Sequence, residues 1–348
     1  MRDPGSFISG GLEKMRPISE QVVVITGTSS GIGRETALQF AEKGASIVLA
    51  ARNETALAEV AKEVERLGGK PWVVVTDVAE WAQVDRLAQE AIDHFGRIDT
   101  WVNNAALNEH ATVEQMTITE IERIIQVNLM GQIYGMKAAL PHMKLQSQGT
   151  IINVASIAAQ RALPLHGPYV AAKHGIAGFT ETLRLELAYE RSPINVTLVM
   201  PTFINTPLFD HARSRMGVKP RPVPPVYEPH VVAEAILFAA KHRRRDIVVG
   251  SSGKFLTIIQ RISPSLLDRL MLLGGVMFEQ QKTDQPDDGR DNLFEASTGT
   301  GSTTGEWGRS SKSRSLYTSH LELYPNRKRL LLWAATVGVL ILARRVGR

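Results

Sequence analysis

Apolar runs alternate with amphipathic stretches from Gln21 to about Gly253. Val22-Val23-Val24-Ile25 is a short β-branched run, followed by a glycine-rich turn and the helical pattern of Ile32 to Lys43. Ser46–Ala50, Trp72–Val75, Ile98–Val102, Thr150–Val154, Asn195–Val199 and Ile247–Val249 continue the series of strands. Helical segments stand between them at Glu54–Leu67, Trp81–Phe95, Thr119–Lys144, Gly167–Arg191 and Pro229–His242. Strands that are apolar at consecutive positions, with helices between them, need cover on both faces of a parallel sheet. Right-handed crossovers then predict a doubly wound α/β domain over 21–253, with its ligand at the carboxyl ends of the strands.

The pattern changes outside that domain. Residues 1–20 read as an N-terminal tail. Residues 254–280 form an apolar helical extension interrupted by Pro264, with Leu266, Leu267, Leu270, Met271 and Leu273 prominent. Lying on a membrane, covering a substrate entrance and packing in a dimer are its three readings. Residues 281–326 are polar and poor in aliphatics, and include Ser297-Thr298-Gly299-Thr300-Gly301-Ser302-Thr303-Thr304-Gly305. Such a composition does not offset its own ordering entropy, so a flexible linker is expected. In the last segment, 327–348, the fourteen uncharged residues Leu330 to Ala343 stand between Arg327-Lys328-Arg329 and Arg344-Arg345. As a helix they would reach about 21 Å, against roughly 30 Å of hydrocarbon. Snorkelling arginines close part of that gap. Membrane insertion or interfacial anchoring is the favoured reading, ahead of oligomer packing or an incidental tail.

Composition narrows the chemistry. At 43% hydrophobic and 22% charged, the 348 residues are too apolar and too mixed in charge for a disordered chain. No cysteine is present, which excludes a disulfide framework, a zinc–thiolate site and a cysteine nucleophile. Met1 to Glu20 lacks an apolar core of signal-peptide length, so the domain is expected in the cytoplasm. The net charge of +5 suggests a nucleic-acid partner only until it is divided. Residues 1–280 carry 29 Lys+Arg against 28 Asp+Glu, whereas 281–348 carry 11 against 7. The domain is nearly neutral, and the run Arg243-Arg244-Arg245 reads as a solvated helix end, so no nucleic-acid partner is expected. No His/Asp/Glu cluster has metal-ligand spacing, and no metal is expected.

Two stretches carry candidate chemistry. The first strand runs into Thr26-Gly27-Thr28-Ser29-Ser30-Gly31-Ile32-Gly33. Glycines there let the backbone approach a pyrophosphate, and the N–H groups of the following helix face its charge. A glycine-rich loop alone is weak evidence; between a first strand and a first helix it is much stronger. The second strand ends in Ala50-Ala51-Arg52-Asn53, with a guanidinium where a free ribose 2′-OH would call for a carboxylate. Arg52 suits a 2′-phosphate, so NADP(H) is favoured, with NAD(H) the alternative. Farther on, Tyr169 and Lys173 stand four apart on one helix face, with Ser156 just after the strand Thr150–Val154 and Asn128 in the helix before it. A phenol of ordinary pKa near 10 needs an adjacent ammonium to work near neutrality.

These residues, in this order and spacing, resemble the short-chain dehydrogenase/reductase family of the common, roughly 250-residue type. The resemblance covers about Gln21 to Gly253 and also rests on Asp77, on Asn103-Asn104-Ala105-Ala106 and on Pro201-Thr202-Phe203-Ile204-Asn205-Thr206. It implies a Rossmann-like fold and an oxidoreductase that interconverts an alcohol and a ketone or aldehyde. Tyr169 would be the general acid and Ser156 would polarise the carbonyl. Lys173 would lower the tyrosine pKa and grip the nicotinamide ribose, and Asn128 would hold a water leading to solvent. Gly27, Ser29, Ser30, Gly31, Ile32, Gly33, Arg52, Asp77, Val78, Asn104, Ile204 and Thr206, with Tyr169 and Lys173, would contact the cofactor. Homodimers or homotetramers are also implied. Ala106 and Thr202 depart from the family's usual glycines without removing a catalytic group.

Other residues read more blandly. Phe203, Leu208, Phe209 and Met216 of the proline-rich stretch 201–229 serve equally as pocket lining or as anchors of an overhanging loop. His166 reads as a loop histidine, Glu109 and His110 as neighbours of the site, and Trp72 and Trp81 as packing residues. The apolar tail and loop point to a lipophilic substrate. A non-catalytic nucleotide sensor or scaffold is the rival from another class, and the retained Asn128, Ser156, Tyr169 and Lys173 argue against it. Epimerisation or dehydration on the same scaffold is the third reading.

Overall fold

The computed structural model describes residues 15–324. Seven parallel strands make the central sheet: β1 (Val22–Thr26), β2 (Ser46–Ala51), β3 (Lys70–Val75), β4 (Thr100–Asn103), β5 (Thr150–Val154), β6 (Asn195–Pro201) and β7 (Asp246–Val249). Their order across the sheet is β7-β6-β5-β4-β1-β2-β3. The chain steps outward from β1 to β3 and then returns to lay β4 on the other side of β1. The strand order reverses there, and such a reversal opens a crevice at the carboxyl ends of the two strands.

Period two survives inside the continuously apolar strands. Val22 and Val24 of β1 enter the core on one face, and Val23 and Ile25 enter the core on the other. The first face is covered by α3 (Trp81–Phe95), α5 (Gly131–Leu145) and α6 (Gly167–Tyr189), through Leu87, Met136 and Ile176 among others. The second is covered by α1 (Gly31–Ala41), α2 (Glu54–Arg66) and α7 (Pro229–Ala239), through Phe40, Leu57 and Ile236. Side chains of this size contribute about 1.5–3 kcal/mol each when fully buried. Two such cores give the site a stiff frame.

Three departures from the sequence reading matter for function. The single helix expected over 119–144 is α4 (Ile118–Ile125), a π-helical turn (Gln126–Met130) and α5. A π turn inserts one extra residue, and here it carries Asn128 into the interior. Strand β3 begins earlier, at Lys70-Pro71, because it is the sheet's edge and a proline there breaks no ladder.

The third is a correction. The linker expected over 281–326 lies, in its described part, against the domain. Lys282–Pro286 pairs antiparallel with Val218–Pro220, and Ser311–Lys312 pairs with Val226–Tyr227. Leu293 is 1% exposed within the core. Composition misleads here because backbone groups make most of the contacts, and those leave no apolar signature.

The apolar extension is helical, as α8 (Ser251–Ile262) and α9 (Pro264–Leu272), with Phe255, Ile262, Leu270 and Leu272 exposed. The expectation attached to residues 330–343 falls outside the described residues. Among the described residues, no helix is long and apolar enough to cross a membrane.

Candidate active site

A cleft of about 230 Å³ opens at the carboxyl ends of the strands, across the β1/β4 reversal. A second cavity, beside Asp99, holds about 20 Å³. That is space for a water.

One end of the cleft is lined by the glycine-rich loop between β1 and α1. A Cβ on Gly33 would lie 2.1 Å from the Gly27 carbonyl oxygen, so the loop closes on glycine there. Ser30 caps α1 in position but makes no side-chain capping bond, which leaves the first turn's N–H groups open to an anion. Gly31 is the exception, donating its N–H to the Ser302 carbonyl at 2.8 Å. The Asn104 amide donates to the carbonyls of Thr26 at 3.0 Å and Gly27 at 3.3 Å, and so fixes the loop from the β4 side.

Arg52 reaches the cleft from the end of β2 and donates to the carbonyls of Phe294 at 3.0 Å and Asn292 at 2.5 Å. Burial, and then the nearby guanidinium of Arg123, hold Arg52 below its ordinary value, with Asp77 working against them. Asp77 is itself paired with Arg123 at 2.7 Å. Two guanidiniums thus face one carboxylate, and the surplus charge is positive. Val78 lines the cleft beside Asp77.

The other end gathers Ser156, Tyr169 and Lys173. The first turns of α6 carry Tyr169 and Lys173, with the ammonium nitrogen 5.4 Å from the centre of the phenol ring. Lys173 is 1% exposed and donates to the Val154 carbonyl at 2.9 Å. Ser156 follows β5, accepts from the Ala158 N–H at 3.1 Å and hydrogen-bonds the Tyr169 hydroxyl. Enclosure pushes the Tyr169 phenol up to about 12, and the bond with Ser156 pulls it back. Burial brings Lys173 down to about 7. The lysine was expected to lower the tyrosine; in the cofactor-free protein, loss of water dominates both groups.

Asn128 is fully buried, and its amide is matched to one backbone unit. Its oxygen accepts from the Leu107 N–H at 2.7 Å and its nitrogen donates to the Leu107 carbonyl at 2.8 Å. These two bonds fix the wall of the cleft after β4.

Beneath these groups runs a buried polar chain that the sequence reading missed. Trp101 donates to Asn103 at 2.8 Å, Asn103 to Asn153 at 2.9 Å, and Asn153 to Thr180 of α6 at 2.9 Å. Asparagines on central strands, at positions where neighbours are apolar, were the available signal. The chain ties α6, and with it Tyr169 and Lys173, to β4 and β5.

The remaining wall is largely apolar. Ile204, Thr206, Phe203, Leu208 and Phe209 line it, with Leu107, Ile157 and Leu163. Met216 is not among the lining residues. His166 is, contrary to its reading as an uninvolved loop histidine; its ring nitrogens lie 3.1 Å from the Asn108 oxygen and 2.8 Å from the Gln281 oxygen. Burial takes His166 down to about 4, and the Gln281 contact works against it. Gln281 comes from the C-terminal stretch, and nothing in its sequence surroundings announced it. Glu109 and His110 lie behind the wall: Glu109 pairs with Arg215 at 3.2 Å, and His110 packs its ring 4.4 Å from that of His166. Trp72 stacks on His94 at 3.8 Å and Trp81 meets Tyr134 edge-on at 5.7 Å, both as packing. Ala106 lines the cleft, and the Thr202 hydroxyl donates to the Val249 carbonyl at 3.1 Å.

A family pattern described as short chain dehydrogenase matches residues 21–217. The chain belongs to that family. It is 39% identical over 335 residues to the uncharacterized oxidoreductase YxnA of Bacillus subtilis, covering 94% of this chain and 91% of that one. It is 33% identical over 265 residues to the bovine dehydrogenase/reductase SDR family member 7B, covering 73% of this chain and 81% of that one. Among solved structures, an alcohol dehydrogenase from the archaeon Thermococcus sibiricus, complexed with 5-hydroxy-NADP, superposes with a TM-score of 0.57 at 26% identity. That match covers 66% of this chain and 95% of the archaeal one.

This short-chain dehydrogenase is an oxidoreductase acting on CH–OH groups, with a nicotinamide dinucleotide as its partner in hydride transfer. The donor set fits such a group. Open N–H groups of α1 and a surplus guanidinium suit its phosphates, and the buried ammonium of Lys173 suits ribose hydroxyls.

Proposed function

We propose that this dehydrogenase interconverts a lipophilic alcohol and its ketone or aldehyde, using NADP(H). One observation carries the reading: a single cleft joins Arg52 and the glycine loop at one end to Ser156, Tyr169 and Lys173 at the other. The dinucleotide supplies or accepts the hydride. Tyr169, held neutral by its enclosure, donates a proton to the carbonyl oxygen during reduction. Ser156 donates a hydrogen bond to the same oxygen as charge develops on it. Lys173 keeps one N–H on Val154 and turns the others toward ribose hydroxyls and the tyrosinate left after proton transfer. Asn128 positions Leu107.

The pairing of Arg52 and Arg123 against Asp77 alone supports a 2′-phosphate over a 2′-hydroxyl. The apolar wall from Phe203 to Phe209 supports an apolar substrate body, with His166 and Asn108 as its polar contacts. The exposed apolar side chains of α8 and α9 support association of copies, and the sequence of 330–343 supports contact with a membrane.

The test is a titration with NADPH and NADH, followed by nicotinamide absorbance across carbonyl compounds graded by chain length. Tighter NADPH binding and faster oxidation with the more apolar carbonyls are expected. Preference for NADH would remove the phosphate reading, and no oxidation by any compound would leave the cleft without its proposed chemistry.

A further inference from the structure

The stretch 291–307 spans the cleft from one side to the other. At its start Asp291 pairs with Arg213 at 2.8 Å and Leu293 is buried in the core. At its end the N–H of Trp307 donates to the Asn205 side chain at 3.0 Å, and that of Gly305 to the Asn205 carbonyl at 3.3 Å.

Between these anchors, its backbone carbonyls meet the phosphate end of the cleft one after another. Those of Asn292 and Phe294 accept from Arg52, those of Ser297 and Gly299 from Asn53, that of Thr300 from Arg34 and that of Ser302 from Gly31. Arg52 and Asn53 follow β2, while Gly31 and Arg34 begin α1, so these bonds bridge the two sides of the nucleotide end. Ala296, Ser297, Thr298 and Gly301 face the cleft as part of its lining. Small residues suit this close approach. At Gly301 φ is 72°, and a Cβ would lie 2.2 Å from the Ser29 carbonyl oxygen.

We propose that 291–307 is a dinucleotide-binding strap that closes the adenosine end of the cleft, so that the cofactor enters and leaves only when the strap lifts. This rests on the reading of the cleft as the dinucleotide site. The closure is reversible because its middle is held by hydrogen bonds to backbone carbonyls rather than by buried apolar side chains. Such bonds open locally without unfolding the cores on either face of the sheet.

The test compares the full chain with Gly301→Val, which prevents seating on the Ser29 loop, and Leu293→Ala, which loosens the far anchor. Bound NADPH is chased with excess NADP+ in stopped flow and followed by nicotinamide fluorescence. Both variants should release NADPH about tenfold faster than the wild type. A second readout is tryptic cleavage at Arg290 and Arg309, the basic residues flanking the strap. NADPH should slow it in the wild type and much less in Gly301→Val. Circular dichroism establishes that each variant is folded. Unchanged release in folded variants would overturn the strap while leaving the cofactor reading intact. A wild-type chain that binds neither NADPH nor NADH would overturn the cofactor reading itself, and the strap with it.

Discussion

The two ends of the cleft are built in opposite ways. The chemical end rests on side chains fixed from below: Tyr169 and Lys173 on α6, pinned through Thr180, Asn153 and Asn103 to the central sheet. The adenosine end is roofed by backbone carbonyls of a polar segment reaching across from the C-terminal side. Rigid support suits a proton transfer that tolerates little misplacement. A roof of backbone hydrogen bonds suits a ligand that must exchange. On the proposed reading, the difference teaches that one cleft can be stiff where bonds change and openable where cofactor passes.

Removing the phenol separates the ends most sharply. Tyr169→Phe should lower kcat by about 10³-fold while NADPH affinity stays within a few-fold of the wild type, measured by steady-state kinetics and fluorescence titration. The complementary change, Arg52→Asp, should move the NADPH-to-NADH affinity ratio by about 10²-fold toward NADH. It should leave kcat at saturating cofactor little changed, and an unmoved ratio would take Arg52 out of phosphate recognition. A third variant probes the support beneath the chemical end. Asn153→Leu takes from the Asn103 amide one of its two acceptors and from the Thr180 hydroxyl its donor, and should cost roughly 2 kcal/mol in urea unfolding. A fall in kcat should accompany it, without a matching change in cofactor affinity.

The smallest effect concerns pH. Burial holds Lys173 down to about 7 in the folded protein, below the ordinary lysine value. The unfolded chain therefore holds that proton over a pH range where the folded chain has released it. Stability rises with pH across that window. Lys173→Met should lack this rise, so the wild type should gain about 2 kcal/mol relative to the variant between pH 7 and 9. At pH 7 the variant should be the more stable protein, although inactive. A difference independent of pH would mean that the lysine keeps its proton throughout.

Much of this was legible in the residues, for identifiable reasons. Val22 to Ile25 read as a doubly covered strand because burial on both faces leaves no polar alternation. Tyr169 and Lys173 were legible because four-residue spacing puts them on one helix face. The inward turn of Asn128 was not legible, since a π turn is settled by packing and Leu107 supplies both of its partners. The strap was hidden most completely. Ser297 to Gly305 carries the composition of a linker, and its contacts run through carbonyls that every residue possesses. The role of Gln281 beside His166 was invisible for a related reason, because 115 positions separate the two.

The most direct test measures NADPH binding and NADPH oxidation on the same samples of wild type, Tyr169→Phe and Arg52→Asp. Separable ends predict that Tyr169→Phe binds normally and does not oxidise NADPH, whereas Arg52→Asp binds NADPH weakly and oxidises it at close to the wild-type rate once saturated. If binding and oxidation fell together in both variants, or Tyr169→Phe turned over like the wild type, the two-ended cleft would be contradicted.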